Sequence, residues 1–261
     1  MYQKELSEAI GAAKEAATKI LEIYHSDFEV EIKSDDSPVT NADKTADEMI
    51  RSRLKRAFPE YGFLTEESRD TKERLSKKAV WIIDPVDGTK EFVSRNGQFT
   101  TNIALAVDGQ VVVGVINVPV LGLLYYAVKG EGAYRMDGNG NCVRIHCSDR
   151  DSKLRAVRSI SFFNEKEKAF YKSHADCFEG EAVPIGAANK FCVIAEGKYD
   201  FFYRMSSGTK EWDVAAGDLL IQEAGGAMVQ PDGTAFHYNR EDVYNRQGYI
   251  IANKKENLIL K

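Results

Sequence analysis

Apolar residues recur every three or four positions from the start of this chain. Leu6, Ile10, Ala13, Ala17, Ile20, Leu21 and Tyr24 form one stripe of an amphipathic helix. A charged, strand-like stretch follows at 30–33, then a polar loop at 34–37 and Pro38. Thr40 or Asn41 caps a second helix, with Ala42, Ala46, Met49, Ile50 and Leu54 on its apolar face and Pro59 as its stop. Beyond residue 60 the period changes. Tyr61-Gly62-Phe63-Leu64 reads as a short strand, 69–78 as a charged loop or short helix, and Val80-Trp81-Ile82-Ile83 as a buried strand ending at Asp84. Residues 90–95 can start a short helix.

Strands are expected at 101–107, 111–118 and 123–128, with Ala133 and Tyr134 extending the set. Asp108-Gly109 and Asp137-Gly138-Asn139-Gly140 are hairpin signals. The stretch 111–128 is nearly long enough and apolar enough to span a bilayer. Asn117, Pro119 and Gly122 interrupt it, which favours two buried strands joined by a turn. The first half therefore reads as helices followed by mainly antiparallel strands, with no glycine-rich dinucleotide fingerprint. The second half alternates: a strand at 155–161, a helix at 165–175, a small-residue helix at 187–196, a strand at 199–203, a helix at 212–224, and strands at 227–230 and 249–252. Two tightly packed lobes are expected, 1–150 and 151–261, since no Pro-, Gly- or Ser-rich linker separates them.

Composition narrows the class. At 261 residues, 43% hydrophobic and 29% charged, the chain is long and apolar enough for a large core. Its net charge of −5 and lack of a basic arm argue against a nucleic-acid polymer as partner. Cys142, Cys147, Cys177 and Cys192 form no Cys-x-x-Cys pair and read as reduced thiols of a cytoplasmic protein. The four histidines lack zinc spacing. The N-terminus lacks the apolar core of a signal peptide.

The candidate chemistry is acidic. Asp84 and Asp87 lie three residues apart in Asp84-Pro85-Val86-Asp87-Gly88-Thr89, and carboxylates that close repel unless a cation lies between them. All-oxygen ligands suit Mg²⁺, Mn²⁺ or Ca²⁺. Asp43 sits in the first turn of a helix and Asp213 begins another, positions that acids also take as caps. Glu66 ends a strand. One internal echo relates Gly88-Thr89-Lys90-Glu91-Phe92 to Gly208-Thr209-Lys210-Glu211-Trp212; five residues are too few for a structural repeat, and it reads as chance.

Taken in order, three segments carry a family resemblance: Leu64-Thr65-Glu66-Glu67-Ser68, Asp84-Pro85-Val86-Asp87-Gly88-Thr89, and Trp212-Asp213-Val214-Ala215-Ala216-Gly217. Through them the whole chain resembles the inositol monophosphatase superfamily of Mg²⁺-dependent, lithium-sensitive phosphatases. Within it, Asp36-Ser37-Pro38-Val39-Thr40-Asn41-Ala42-Asp43, Gly88-Thr89-Lys90-Glu91-Phe92, 96–105 and 190–197 resemble the 3′(2′),5′-bisphosphate nucleotidases of the CysQ type. The resemblance implies an α+β fold, a layered α-β-α-β-α sandwich. It implies Mg²⁺, two or three ions per site, with Mn²⁺ as a substitute. Glu66, Asp84 and the Val86 carbonyl would hold one metal; Asp84, Asp87 and Asp213 a second; Glu66 and Asp43 a weaker third.

By the same resemblance Asp43, Glu66 and Thr89 orient the attacking water, Gly88 and Thr89 offer N–H groups to the phosphate, and Asp213 also borders the substrate. Lys190 and Arg204 are candidates for a second phosphate or a base. Lys33 is either a surface lysine or a neutraliser of substrate charge. The expected substrate is adenosine 3′,5′-bisphosphate, which is cleaved to AMP in sulfur metabolism; an inositol- or sugar-phosphate is the alternative, and a non-catalytic phosphate- or metal-binding protein a third reading. A monomer or homodimer without stable membrane insertion is expected. Two segments depart from the nucleotidase pattern. Gly186-Ala187-Ala188-Asn189 stands where Gly-Ser-Ser-Leu is usual, and Phe202-Tyr203-Arg204 where Tyr-Pro-Arg is usual. The acids are untouched; two hydroxyls near the substrate are lost.

Overall fold

A computed structural model describes residues 1–32 and 38–260. Lys33 and the loop 34–37 lie outside the described residues. The first half runs α1 (Gln3–Tyr24), β1 (Val30–Ile32), β2 (Pro38–Thr40), α2 (Asn41–Ala57), β3 (Gly62–Thr65), β4 (Ala79–Asp87), α3 (Thr89–Val93), β5 (Thr100–Val107), β6 (Gln110–Val118), β7 (Leu123–Val128), β8 (Gly132–Met136) and β9 (Cys142–Ile145). The second half runs β10 (Ala156–Ser159), α4 (Glu165–Ser173), β11 (Val183–Ile185), α5 (Asn189–Ala195), β12 (Phe201–Arg204), α6 (Glu211–Glu223), β13 (Ala227–Val229) and β14 (Tyr249–Ala252).

Strands β3 to β9 lie side by side in chain order in a seven-stranded sheet, antiparallel except for the β3–β4 pair. The alternation of β4 decides how this sheet packs. Trp81 and Ile83 face the helices α1 and α2, in one core with Ala13, Ile20, Ile50 and Leu54. Val80 and Ile82 face the other way, in a core with Phe191 of α5 and Val214 and Leu219 of α6. The same two helices cover one face of a five-stranded sheet of order β11-β10-β12-β14-β13 through Val157, Phe202 and Ile251. The far face of that sheet, with Phe201, Tyr203 and Ile250, packs against Phe170 and Tyr171 of α4. The layers are thus α1/α2, sheet, α5/α6, sheet, α4, which is the α+β sandwich expected.

Helix α6 explains why two sheets can share one pair of helices. It lies between them and is buried nearly all round, from Trp212 through Ile221, as a helix apolar on every side must be. Its approach to the first sheet depends on small residues. A Cβ on Gly114 of β6 would sit 2.8 Å from the Ala216 carbonyl oxygen, and one on Gly217 would sit 2.3 Å from the Phe191 ring. Three short strands that hydrophobic patterning did not single out complete the sheets. β2 pairs with β1; β9 and β11 are edge strands, and Pro184 in β11 is tolerable only at an edge. Among the described residues no helix is long and apolar enough to cross a membrane; the apolar stretch at 111–128 forms most of β6 and all of β7. All four cysteines are free.

Gly217→Ala pushes a methyl into Phe191 across the α5–α6 contact. Overpacking of this kind costs about 1–3 kcal/mol. The expected result is a lower midpoint of urea unfolding with an unchanged slope; an unchanged midpoint would mean that the two helices separate freely.

Candidate active site

The site begins with an irregularity in β4. On a regular strand, residues three apart face opposite sides of the sheet, so Asp84 and Asp87 should point apart. The pairing of β4 with β5 shifts register between them. Pro85 has no N–H for the ladder, and its carbonyl instead accepts a hydrogen bond from the Thr101 hydroxyl at 2.8 Å. This bulge turns both aspartates to one side. Carboxylate oxygens of Asp84, Asp87 and Asp213 all lie within 4.8 Å of one another.

Each neighbouring acid arrives on a different element. The Glu66 N–H donates to the Ile83 carbonyl at 3.2 Å, so the end of β3 places Glu66 beside Asp84. Asp213 stands in the first turn of α6, where its Oδ2 accepts the Lys210 N–H at 2.5 Å. Asp43 closes a reciprocal cap on α2 with Thr40, accepting the Thr40 N–H at 2.8 Å and its hydroxyl at 2.6 Å on Oδ2. Its other oxygen accepts from the Thr89 hydroxyl at 3.1 Å. That hydroxyl is also 3.3 Å from the Val86 carbonyl oxygen. Asp87 is steadied by the Asn102 amide at 3.3 Å and by Thr100 at 3.5 Å. Gly88 takes a left-handed conformation at φ 89°, and a Cβ there would meet Ala187 at 3.0 Å, so the turn into α3 needs glycine.

The electrostatics are those of acids crowded out of water. Burial first, and then repulsion from Glu66, Asp87, Asp213 and Asp43, drive Asp84 well above the usual carboxylate range. Burial pushes Asp213 up to about 8 and Asp87 up to about 6, the latter opposed by the Lys190 ammonium. Asp43 is raised by burial against the pull of its Thr40 and Thr89 hydrogen bonds. One oxygen of Asp84 is buried with no hydrogen-bond partner among the described residues. An orphaned carboxylate oxygen facing two further carboxylates, with only oxygen donors around it, fits a hard divalent cation.

These acids form one wall of a cavity of about 320 Å³. Lys90, Lys190, Arg204 and Lys210 line it as well, with Phe162, Trp212 and Tyr249. Lys190 is buried; its ammonium donates to the carbonyls of Ala187 at 2.5 Å and Ile185 at 3.4 Å, and burial lowers it to about 8. The Arg204 guanidinium reaches the Glu167 carboxylate at 3.2 Å and the Phe162 carbonyl. Among the described residues, all the sequence-predicted ones except Asp43 line the same cavity, and Asp43 reaches it through Thr89. Phe162, Lys90, Lys210, Trp212 and Tyr249 were not singled out. The internal echo was the available signal: its two copies line the same cavity, each at the start of a helix, α3 and α6.

The inositol monophosphatase family model matches residues 1–261. A Salmonella typhimurium protein named 3′(2′),5′-bisphosphate nucleotidase CysQ is 33% identical over 250 residues, 95% of this chain and 99% of its own. The Pasteurella multocida protein named Nus factor SuhB is 31% identical over 95% of this chain and 90% of its own. Among solved structures, CysQ of Bacteroides thetaiotaomicron, described as a bacterial member of the inositol monophosphatase family, superposes with a TM-score of 0.86 at 34% identity, covering 97% of this chain and 99% of that one.

The raised acids make the metal-free protein pH-sensitive. A carboxyl whose folded pKa lies above its unfolded one contributes stability that is lost as pH rises through the folded value. In EDTA the melting temperature should fall between about pH 4 and 8, from the ordinary aspartate value up to the raised values of Asp87 and Asp213. Millimolar Mg²⁺ should restore it by several degrees. Asp84→Asn should flatten the fall and abolish the Mg²⁺ response; a full response in that variant would remove Asp84 from the cation site.

Proposed function

Because the chain belongs to the inositol monophosphatase family along its whole length, we propose that it is a Mg²⁺-dependent phosphomonoesterase that removes the 3′-phosphate of adenosine 3′,5′-bisphosphate, giving AMP and phosphate in the cytoplasm. The observation that carries the substrate reading is the two-sided cavity. Its acidic wall suits a metal-held phosphoryl group, and Lys90, Lys190, Arg204 and Lys210 supply more positive charge than one phosphate requires. Phe162 exposes half its surface there, with the Lys90 ammonium 4.3 Å from its ring centre. The Salmonella relative, named a 3′(2′),5′-bisphosphate nucleotidase, agrees with a nucleotide substrate.

Asp84, Asp87 and Asp213 would hold one divalent ion, and Glu66, Asp84 and the Val86 carbonyl a second, with a weaker third near Glu66 and Asp43. Bound there, such ions acidify a water and stabilise the charge that builds on the phosphoryl and leaving oxygens. The chain's own groups arrange the rest. Thr40 anchors one oxygen of Asp43 and leaves the other for the Thr89 hydroxyl. With its proton directed to Asp43, the Thr89 oxygen has lone pairs left to accept a proton from a water in line with the phosphorus. Asp43, raised by burial, is suited to take that proton on. Glu66 orients the same water from the other side. Gly88 and Thr89 offer backbone N–H groups to the phosphoryl oxygens. Lys190 is fixed by two carbonyls and presents a single charge to the second phosphate. Arg204 has its guanidinium committed to Glu167 and the Phe162 carbonyl, so it contributes charge and holds Phe162 in place.

The test is phosphate release with Mg²⁺ from adenosine 3′,5′-bisphosphate, inositol 1-phosphate and fructose 1,6-bisphosphate. A kcat/KM preference for the nucleotide of roughly a hundredfold, about 2.7 kcal/mol of transition-state discrimination, is expected. Equal or faster cleavage of inositol phosphate would refute the nucleotide reading. EDTA should silence all activity reversibly, and activity that survives it would refute the metal. Lys190→Ala should raise KM for the bisphosphate more than for a monophosphate; equal effects would remove Lys190 from recognition of the second phosphate.

A further inference from the structure

The segment before α6 carries a group that the mechanism does not use. The Thr209 side-chain oxygen is buried and finds no hydrogen-bond partner among the described residues, although Thr209 lines the cavity. A buried hydroxyl left unpaired destabilises the folded state, and a mobile loop would turn it out to water. This loop is pinned instead. The Asn245 N–H donates to the Thr209 carbonyl at 2.7 Å, the Asn245 amide to the Lys210 carbonyl at 2.9 Å, and the Lys210 N–H to Asp213 at 2.5 Å. Asn245 is itself buried and accepts from the Arg240 guanidinium at 2.7 Å. The orphan hydroxyl is therefore held in position inside a ligand cavity.

Its side of the cavity says what it meets. Asp84 is central, acted on by Glu66, Asp87, Asp213 and Asp43. Asp43 and Thr89, bonded to each other, hold the attacking water, so in-line displacement sends the alcohol away from them, and Thr209 lies next to Lys210, whose N–H binds Asp213. A substrate hydroxyl would be welcome there, because it can donate to the carboxylate while it accepts from the threonine. Resting on the phosphomonoesterase reading above, but not on the nucleotide being the substrate, we propose that Thr209 hydrogen-bonds the hydroxyl vicinal to the scissile phosphate ester, and so selects esters that carry one.

The experiment compares wild type with Thr209→Val, which keeps the shape and removes the hydroxyl, and Thr209→Ser, which keeps it. For adenosine 3′,5′-bisphosphate, Thr209→Val should lower kcat/KM about tenfold or more, and Thr209→Ser should stay near wild type. Wild type should discriminate against 2′-deoxyadenosine 3′,5′-bisphosphate by a similar factor, and on that substrate Thr209→Val should lose nothing further. Equal losses on the ribo and deoxy substrates, or no discrimination by wild type, would overturn the proposal; the second result needs no variant to fold. If neither nucleotide is cleaved but inositol 1-phosphate is, the nucleotide reading fails alone. The loss in Thr209→Val must then appear on inositol 1-phosphate and not on 4-nitrophenyl phosphate, which has no vicinal hydroxyl; the same loss on both would overturn the role of Thr209.

Discussion

Mutual repulsion among buried carboxylates is the constraint around which this molecule is built. Asp84, Asp87 and Asp213 bring oxygens within 4.8 Å of one another, and their withdrawal from water raises all three toward the protonated form. No single segment could hold them so. They come from β4 and α6, with Asp43 from α2 and Glu66 from the end of β3. Asp43, Asp87 and Asp213 are restrained by backbone, hydroxyl or amide donors of their own or neighbouring elements. The repulsion is therefore opposed by the packing of the whole sandwich, and stability becomes linked to the cation that relieves it.

Helix α6 transmits that constraint through the fold. It forms the middle layer with α5, touches both sheets, and presents Asp213 from its first turn. The close approaches at Gly114 and Gly217 fix how deep it sits. Its entry segment is held from outside as well. Glu211 accepts the backbone N–H groups of Asn239 and Arg240 at 2.7 and 2.9 Å, and Asn245 clamps the two residues before it. A helix buried on all sides, with a rigid entrance, can place a carboxylate and a hydroxyl in one cavity with little conformational freedom left to lose on binding.

Much of this was legible in residue order. The stripes of α1 and α2 follow from apolar spacing because one face of each meets a single core, and the strands at 101–128 stand out as nearly continuous apolar runs because both faces of their sheet are covered. The edge strands β9 and β11 were not legible, since four and three residues with little burial carry almost no periodic signal. The acids could be named from their motifs, but not how Asp84 and Asp87 come to face the same way: that depends on a bulge whose cause, Pro85 paired through its carbonyl to Thr101, lies partly on another strand. The repeated Gly-Thr-Lys-Glu was visible and discounted. Five residues do not make a structural repeat, yet both copies border the cavity, one Thr bonded to Asp43 and the other without a side-chain partner among the described residues.

The departure at Gly186-Ala187-Ala188-Asn189 can be judged by what the turn does. Ala187 takes φ 49°, a left-handed conformation that costs a non-glycine residue about 1–2 kcal/mol. That conformation goes with a carbonyl bonded to the Lys190 ammonium, while the Asn189 amide donates back to the Gly186 carbonyl at 3.1 Å. The backbone of this turn, rather than its side chains, holds the cation. Hydroxyls at 187 and 188 are thus not needed to place Lys190, and their loss leaves the phosphate-binding charge where the cavity needs it. On the function proposed above, polar contact with the remainder of the substrate would then fall to other residues that line the cavity, Phe162 and Thr209 among them.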